Sequence, residues 1–199
     1  QLAEQGVKEI SLIAQDSTNY GSDIYDRFML PELLNRVSEV DGIEWVRLHY
    51  AYPGFFTDEL IETIADNPKV CKYIDLPLQH SSDRILKRMR RPGRERDARE
   101  LIQKIRERIP DAAIRSSMIV GFPGETEEEF EHLCQFVQEM KFDRLGVFTY
   151  SKEDGTPASR LPEQDFLPEE VKEERANILM EIQREVSKEQ ISRFVGQVL

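Results

Sequence analysis

The sequence predicts an α/β fold in which parallel strands, each followed by a helix, curve into a barrel-like sheet around a polar interior. Three observations carry this prediction. Five runs of strand length alternate with longer stretches of helical period. Crossovers of that length connect parallel strands. Four of the strands keep polar or charged side chains on a single parity. In an open sheet covered by helices on both sides, strands are apolar on both faces.

The elements follow in order. Glu9–Gln15 is the first strand, with Ile10, Leu12 and Ala14 opposing Ser11 and Gln15. A helix is expected over Tyr25–Val40, then a strand over Glu44–Tyr50 in which Val46 and Leu48 oppose Arg47 and His49. Thr57–Asp66 reads as the next helix. Tyr73–Gln79 reads as a strand with Ile74, Leu76 and Leu78 opposite Asp75 and Gln79. Helical segments at Ser82–Arg90 and Arg94–Ile109 are separated by Pro92-Gly93, and Pro110 stops the second. In the strand Ala113–Val120, Ile114 and Met118 oppose Arg115 and Ser117. Thr126 and Glu129 have capping-box spacing at the start of a helix over Thr126–Met140. Asp143–Tyr150 is the last strand, and a long helix runs from Pro168 to Arg193.

Burying the polar parity in a packed core would cost several kcal/mol per unpaired group, about 2–7 on transfer scales. Arg47, His49, Asp75, Gln79, Arg115, Ser117 and Gln15 therefore face a common interior, where they either hold a ligand or close a network of their own. In (βα) folds the reacting groups sit at the C-terminal ends of the strands. Those ends here are Gln15-Asp16-Ser17-Thr18, Tyr50-Ala51-Tyr52-Pro53, Gln79-His80-Ser81-Ser82, Gly121-Phe122-Pro123-Gly124 and Tyr150-Ser151-Lys152.

Composition narrows the chemistry. The 199 residues carry 38 acidic and 27 basic side chains, a formal net charge of −11. That balance argues against nucleic acid as a partner for this domain and suits a basic partner and the cytoplasm. No apolar run reaches membrane-spanning length. The charge is uneven: Lys87 to Arg99 holds seven basic residues against Glu95 and Asp97, either a solvated helix face or a dock for an anionic partner. Two cysteines, Cys71 and Cys134, read as small buried hydrophobes and exclude a disulfide framework. His49, His80 and His132 have no metal-pair spacing, so no metal ligands are expected in this chain. His80 reads equally as a helix cap or a ligand contact. Gly121-Phe122-Pro123-Gly124-Glu125-Thr126 is a strand-to-helix turn but not a phosphate loop, because no Gly-Lys-Ser/Thr occurs in it and acidic residues follow.

Several of these segments together resemble the radical S-adenosylmethionine methylthiotransferases. They are Ala14–Gly21, Leu48–Pro53, Leu76–Ser82, Lys87–Arg91, Ile119–Thr126 and Tyr150–Ala158, in order after successive strands. The resemblance implies a partial (βα)6 TIM-like barrel of the radical SAM type. It further implies S-adenosylmethionine and two 4Fe-4S clusters as cofactors, and a methylthio group as the transferred unit. Gln15-Asp16-Ser17 and Glu153-Asp154-Gly155 favour the branch that modifies an aspartate of small ribosomal subunit protein twelve over the branch that modifies tRNA adenosine. The family's C-x3-C-x2-C loop is not found in these residues. The chain is accordingly expected to be a piece: the first barrel strand and cluster loop missing, 1–160 the barrel core, and 161–199 a helical extension toward a further domain. Such a piece would contain no catalytic residue and would be inactive by itself; a cluster-less binding module is the alternative. By resemblance, Arg115 and Ser117 meet the methionine carboxylate, and Gln15 and Asp16 its ammonium. Gln79 approaches the ribose, Val120, Gly121 and Phe122 line the adenine, and His80 counts among the cofactor-binding residues without an assigned partner atom.

Overall fold

Proline and left-handed residues set where the elements begin and end. The computed structural model describes residues 1–196, so 197–199, the tip of the expected extension, lie outside the described residues. The chain forms two units, one of residues 1–77 with 100–114, the other of 78–99 with 115 onward.

In the first unit, β1 (Glu9–Leu12) pairs in parallel with β2 (Trp45–Leu48), with Ser11 beside Arg47 and Leu12 beside Leu48. The helix expected over 25–40 is two pieces, α1 (Ser22–Tyr25) and α2 (Leu30–Ser38). Asp26, at φ 53, turns the chain left-handed after α1. Pro31 then opens α2, where its missing N–H costs nothing. α3 (Asp58–Asp66) starts on Thr57, whose hydroxyl accepts from Leu60 N at 3.2 Å. At its far end Lys72 Nζ donates to the carbonyls of Ala65 and Asn67 at 3.0 and 2.9 Å, so a side chain satisfies the helix's last acceptors. Leu34, Val46, Ile61 and Ile64 are buried between these layers.

The strand expected over 73–79 is shorter: β3 is Tyr73–Asp75. Pro77 has no N–H for a ladder, and Gln79 sits at φ 75. β4 (Ala113–Val120) begins in the first unit, where Ala113 N donates to Lys72 O at 2.8 Å. In the second unit it receives Gln79 as an isolated parallel bridge opposite Met118. There Gln79 N donates to Ser117 O and Ile119 N to Gln79 O, each at 2.8 Å. Between α4 (Asp83–Arg88) and α5 (Glu95–Arg108), the Pro92-Gly93 break lies where the sequence places it.

β4 pairs in parallel with β5 (Arg144–Thr149) from Arg115 beside Arg144 to Val120 beside Thr149. α6 (Glu127–Met140) and α7 (Glu169–Ser192) cover them. Met118, Val120, Leu133, Phe136, Phe142 and Leu179 form this unit's core, with the Phe136 and Phe142 rings 6.1 Å apart. Among the described residues no helix is long and apolar enough to cross a membrane.

Candidate functional site

Alternation on β4 divides its side chains sharply. Ile114, Ser116, Met118 and Val120 are fully buried, while Arg115 and Ile119 are partly open and Ser117 retains a little exposure. Parallel register puts Arg144, Gly146 and Phe148 of β5 beside Arg115, Ser117 and Ile119, so this face holds two guanidinium side chains, a hydroxyl and an exposed aromatic. Gly146 leaves a small cradle: a Cβ there would stand 3.2 Å from the Phe148 ring and 3.6 Å from Ser117 Oγ. At the strand end, Tyr150 packs edge-on to Phe122 at 5.2 Å. Its buried Oη has no hydrogen-bond partner among the described residues, and burial raises the phenol's pKa.

The turn after β4 is organised by one buried carboxylate. Glu125 Oε2 accepts from Gly121 N at 2.9 Å and stands 3.3 Å from His80 Nε2. His80 Nδ1 accepts from Ser82 N at 2.9 Å, which leaves Nε2 as the protonated, donating nitrogen. Glu125 Oε1 accepts from Arg175 of α7 at 2.5 Å, and Arg175 also donates to Glu127 at 2.8 Å. His80, Glu125 and Arg175 are all buried. Gly121 (φ 72) lies against the Lys172 stem, whose Nζ donates to Tyr150 O at 3.0 Å. Gly124 (φ 82) lies against the Arg88 guanidinium, which is held by Asp165 at 2.5 Å.

The next turn carries the capping box anticipated from sequence. Thr126 Oγ1 accepts from Glu129 N at 3.3 Å, and Glu129 Oε2 accepts from Thr126 N at 3.0 Å. Burial alone would raise the Glu129 carboxyl. Hydrogen bonds from Arg84, Ser82 and the Thr126 backbone outweigh it and hold the pKa at about 2. A carboxyl lowered by folding contributes fully above its ordinary value of 4.5, and that contribution is lost as pH falls toward about 2. Urea unfolding of the parent and of Glu129→Gln should therefore differ clearly at pH 6 and converge toward pH 2. A gap that stays constant across this range refutes the assignment.

In the first unit, the polar parity closes partly on itself. Arg47 Nε donates to Glu9 Oε1 at 2.6 Å and its guanidinium lies 5.3 Å over the Tyr73 ring. That hydrogen bond to Glu9 raises the Arg47 pKa. His49 Nδ1 is 3.8 Å from the buried Asp75 carboxylate. Gln15 is exposed. Asp16 Oδ1 accepts from Thr18 N at 3.0 Å and shapes the following turn.

The residues named from sequence thus fall into groups. Arg115 and Ser117 share one face of β4, and Gln79 joins the strand through its backbone. Val120 points into the core at 0% exposure, opposite that face. Gly121 and Phe122 form the turn, with Phe122 at 4% exposure, and both ring nitrogens of His80 are engaged within the protein. Gln15 and Asp16 belong to the other unit. Sequence reasoning passed over Glu125, Arg175, Arg144 and Gly146. The glycine-bounded strand-to-helix turn Gly121–Thr126 was a signal for the first of these, whereas nothing local marks Arg175 among the many charges of α7. Of the basic stretch, Arg88 and Arg99 are committed to ion pairs, Arg99 with Glu95 and Glu139 at 2.6 Å each.

No three His, Cys, Asp or Glu side chains converge as a metal site among the described residues. Cys71 and Cys134 are half-buried and lie in different units, and burial pushes the Cys134 thiol up to about 11. These donors do not fit an iron–sulfur cluster.

A parallel α/β chain with a polar strand face and a glycine-bounded turn at the strand end matches the radical SAM superfamily model over residues 1–137, and the chain belongs to that superfamily. It is 50% identical over its whole length to the ribosomal protein uS12 methylthiotransferase RimO of Desulfitobacterium hafniense, covering 44% of that protein. It is 53% identical over 98% of its length to RimO of Desulforamulus reducens, again covering 44%. The chain thus spans less than half the length of these relatives. Its fold is that of Escherichia coli coproporphyrinogen III oxidase HemN, with TM-score 0.72 at 15% identity over 90% of this chain and 41% of that one. Streptococcus suis SuiB, solved bound to S-adenosylmethionine, matches with TM-score 0.55 at 17% identity over 90% of this chain and 37% of that one. The partial TIM-like barrel of the radical SAM type that the family resemblance implied is the fold found.

Proposed function

We propose that this chain is the cofactor-binding barrel of a cytoplasmic radical SAM methylthiotransferase that modifies the β-carbon of an aspartate in ribosomal protein uS12. The observation that carries the reading is the 50–53% identity to RimO proteins along essentially the entire chain. In this reading residues 1–160 are the barrel core and 161–199 a helical extension. S-adenosylmethionine, when bound, supplies the radical oxidant that substitution at an unactivated carbon requires. The 4Fe-4S clusters take their ligands from outside this chain, whose own cysteines do not fit them.

The β4–β5 face suits the S-adenosylmethionine it would hold. Arg115 offers a planar fork to the methionine carboxylate, and Ser117 adds a donor beside it. The cradle at Gly146 admits a flat or extended group against the strand backbone, and Tyr150 Oη is a buried donor still lacking a partner. Gln79 reaches the ribose, and Gly121 and Phe122 border the adenine. Val120 and His80 support the turn from behind. Arg115→Ala in the protein expressed from its complete reading frame should weaken S-adenosylmethionine binding about tenfold or more, the loss of one charged hydrogen-bonded pair. Equilibrium dialysis measures this, and unchanged affinity sinks the assignment. Mass spectrometry of ribosomal protein uS12 and of tRNA from a deletion strain tests the substrate: loss of the modification from tRNA alone overturns it.

A further inference from the structure

Glu125 joins three separate stretches of the second unit. Its Oε2 takes the Gly121 amide and faces the His80 ring, while its Oε1 takes the Arg175 guanidinium from a helix fifty residues further on. A carboxylate with side-chain exposure of 0% needs both a cation and several donors to remain charged. Arg175, itself 6% exposed, is that cation, and its ring-face contact with Phe130 at 5.1 Å fixes the direction from which it approaches. A second side chain of the same helix, Lys172, packs its stem on Gly121. The turn that borders the β4–β5 face is therefore held from behind by α7.

We propose that Arg175, acting through Glu125, is a positioning residue for S-adenosylmethionine binding: it fixes the acceptor that aims the Gly121 amide and sets the turn against the cofactor. The inference rests on the functional reading above. Neither residue touches the cofactor; each acts through the backbone of the turn. Removing Arg175 takes that cation and its hydrogen bond from Glu125, so the carboxyl group turns toward water or other donors and releases Gly121 N–H.

Two charge-neutral double variants separate positioning from stability. In Glu125→Gln with Arg175→Met, the amide NH2 occupies the space the guanidinium vacates, and the amide oxygen still accepts from Gly121 and His80. In Glu125→Ala with Arg175→Met, no buried charge is orphaned either, the Glu127 carboxylate that also loses Arg175 being largely exposed, but Gly121 N–H loses its acceptor. Labelled S-adenosylmethionine is titrated by equilibrium dialysis against the full-length protein, with thermal midpoints and amide exchange of Gly121 measured in parallel. The Gln/Met variant is expected to bind within about threefold of the parent and the Ala/Met variant about tenfold more weakly, with faster Gly121 exchange, one hydrogen bond being worth roughly that factor. Equal affinity of the two doubles overturns the inference even where their midpoints differ. If neither double folds, Arg175→Lys decides: it keeps the cation but not the fork, and unchanged affinity with unchanged Gly121 exchange overturns the proposal. A parent that binds no S-adenosylmethionine overturns the functional reading and this inference together.

Discussion

Replacing Gly121 with alanine is expected to cost the fold about 2–5 kcal/mol, the sum of left-handed strain and overpacking. The backbone there has φ 72, and a Cβ would meet Lys172 Cγ at 2.2 Å and Cδ at 2.8 Å. The lysine stem cannot simply swing away, because its amine is held on Tyr150 O and by Glu169. For a chain of this size the thermal midpoint should fall by on the order of 10 °C. Calorimetry of Gly121→Ala alone and combined with Lys172→Ala separates the two contributions. The double variant removes the close contacts with Cγ and Cδ but keeps the strain, so its loss should be smaller than the sum of the single losses. Strict additivity would show that the stem and the glycine are not packed against each other.

Arg175→Met should destabilise the second unit by about 3–5 kcal/mol, because it strands a buried carboxylate rather than removing a surface charge. By contrast, losing a pair on the open face of α7 such as Arg184 with Glu181, both more than half exposed, should change stability by about 1 kcal/mol or less. Adding Glu125→Gln to Arg175→Met should recover most of the loss, since the neutral amide needs no counter-ion. Urea unfolding of the three variants and the parent checks this. A double variant as unstable as Arg175→Met would show that packing against Phe130, at 5.1 Å from the guanidinium, rather than charge, is what Arg175 supplies.

The two changes act on the same turn, and the sequence treated that turn unevenly. Gly121, Gly124 and the Thr126–Glu129 cap were legible because their signals are local: a positive-φ residue and a capping box lie within a few positions of the features they determine. In the first unit the strands expected over 9–15 and 44–50 end sooner, as β1 and β2. The single helix expected over 25–40 is interrupted because Asp26 adopts a left-handed conformation that a side chain other than glycine does not advertise. The short β3 followed from Pro77, whose effect on a parallel ladder depends on which neighbour needs the missing N–H.

Site residues divided along the same line. Parity placed Arg115 and Ser117 on one face of β4, because alternation is a property of a single strand. Gly146 and Arg144 joined that face only through the register of β4 with β5, which pairs residues about thirty positions apart. Arg47 was assigned to the polar face correctly, yet its partner is Glu9 of the neighbouring strand, a choice made by strand pairing.

By itself, the sequence determined the strand–helix alternation, the one-sided polarity that calls for a barrel, and the family whose motifs follow each strand. Tertiary structure alone decided that Glu125 is the hub of the turn and that α7 reaches back to hold it. The reason is physical: a buried charge is viable only where distant chain segments bring a cation and several donors to it, and no local pattern of residues encodes which segment will arrive.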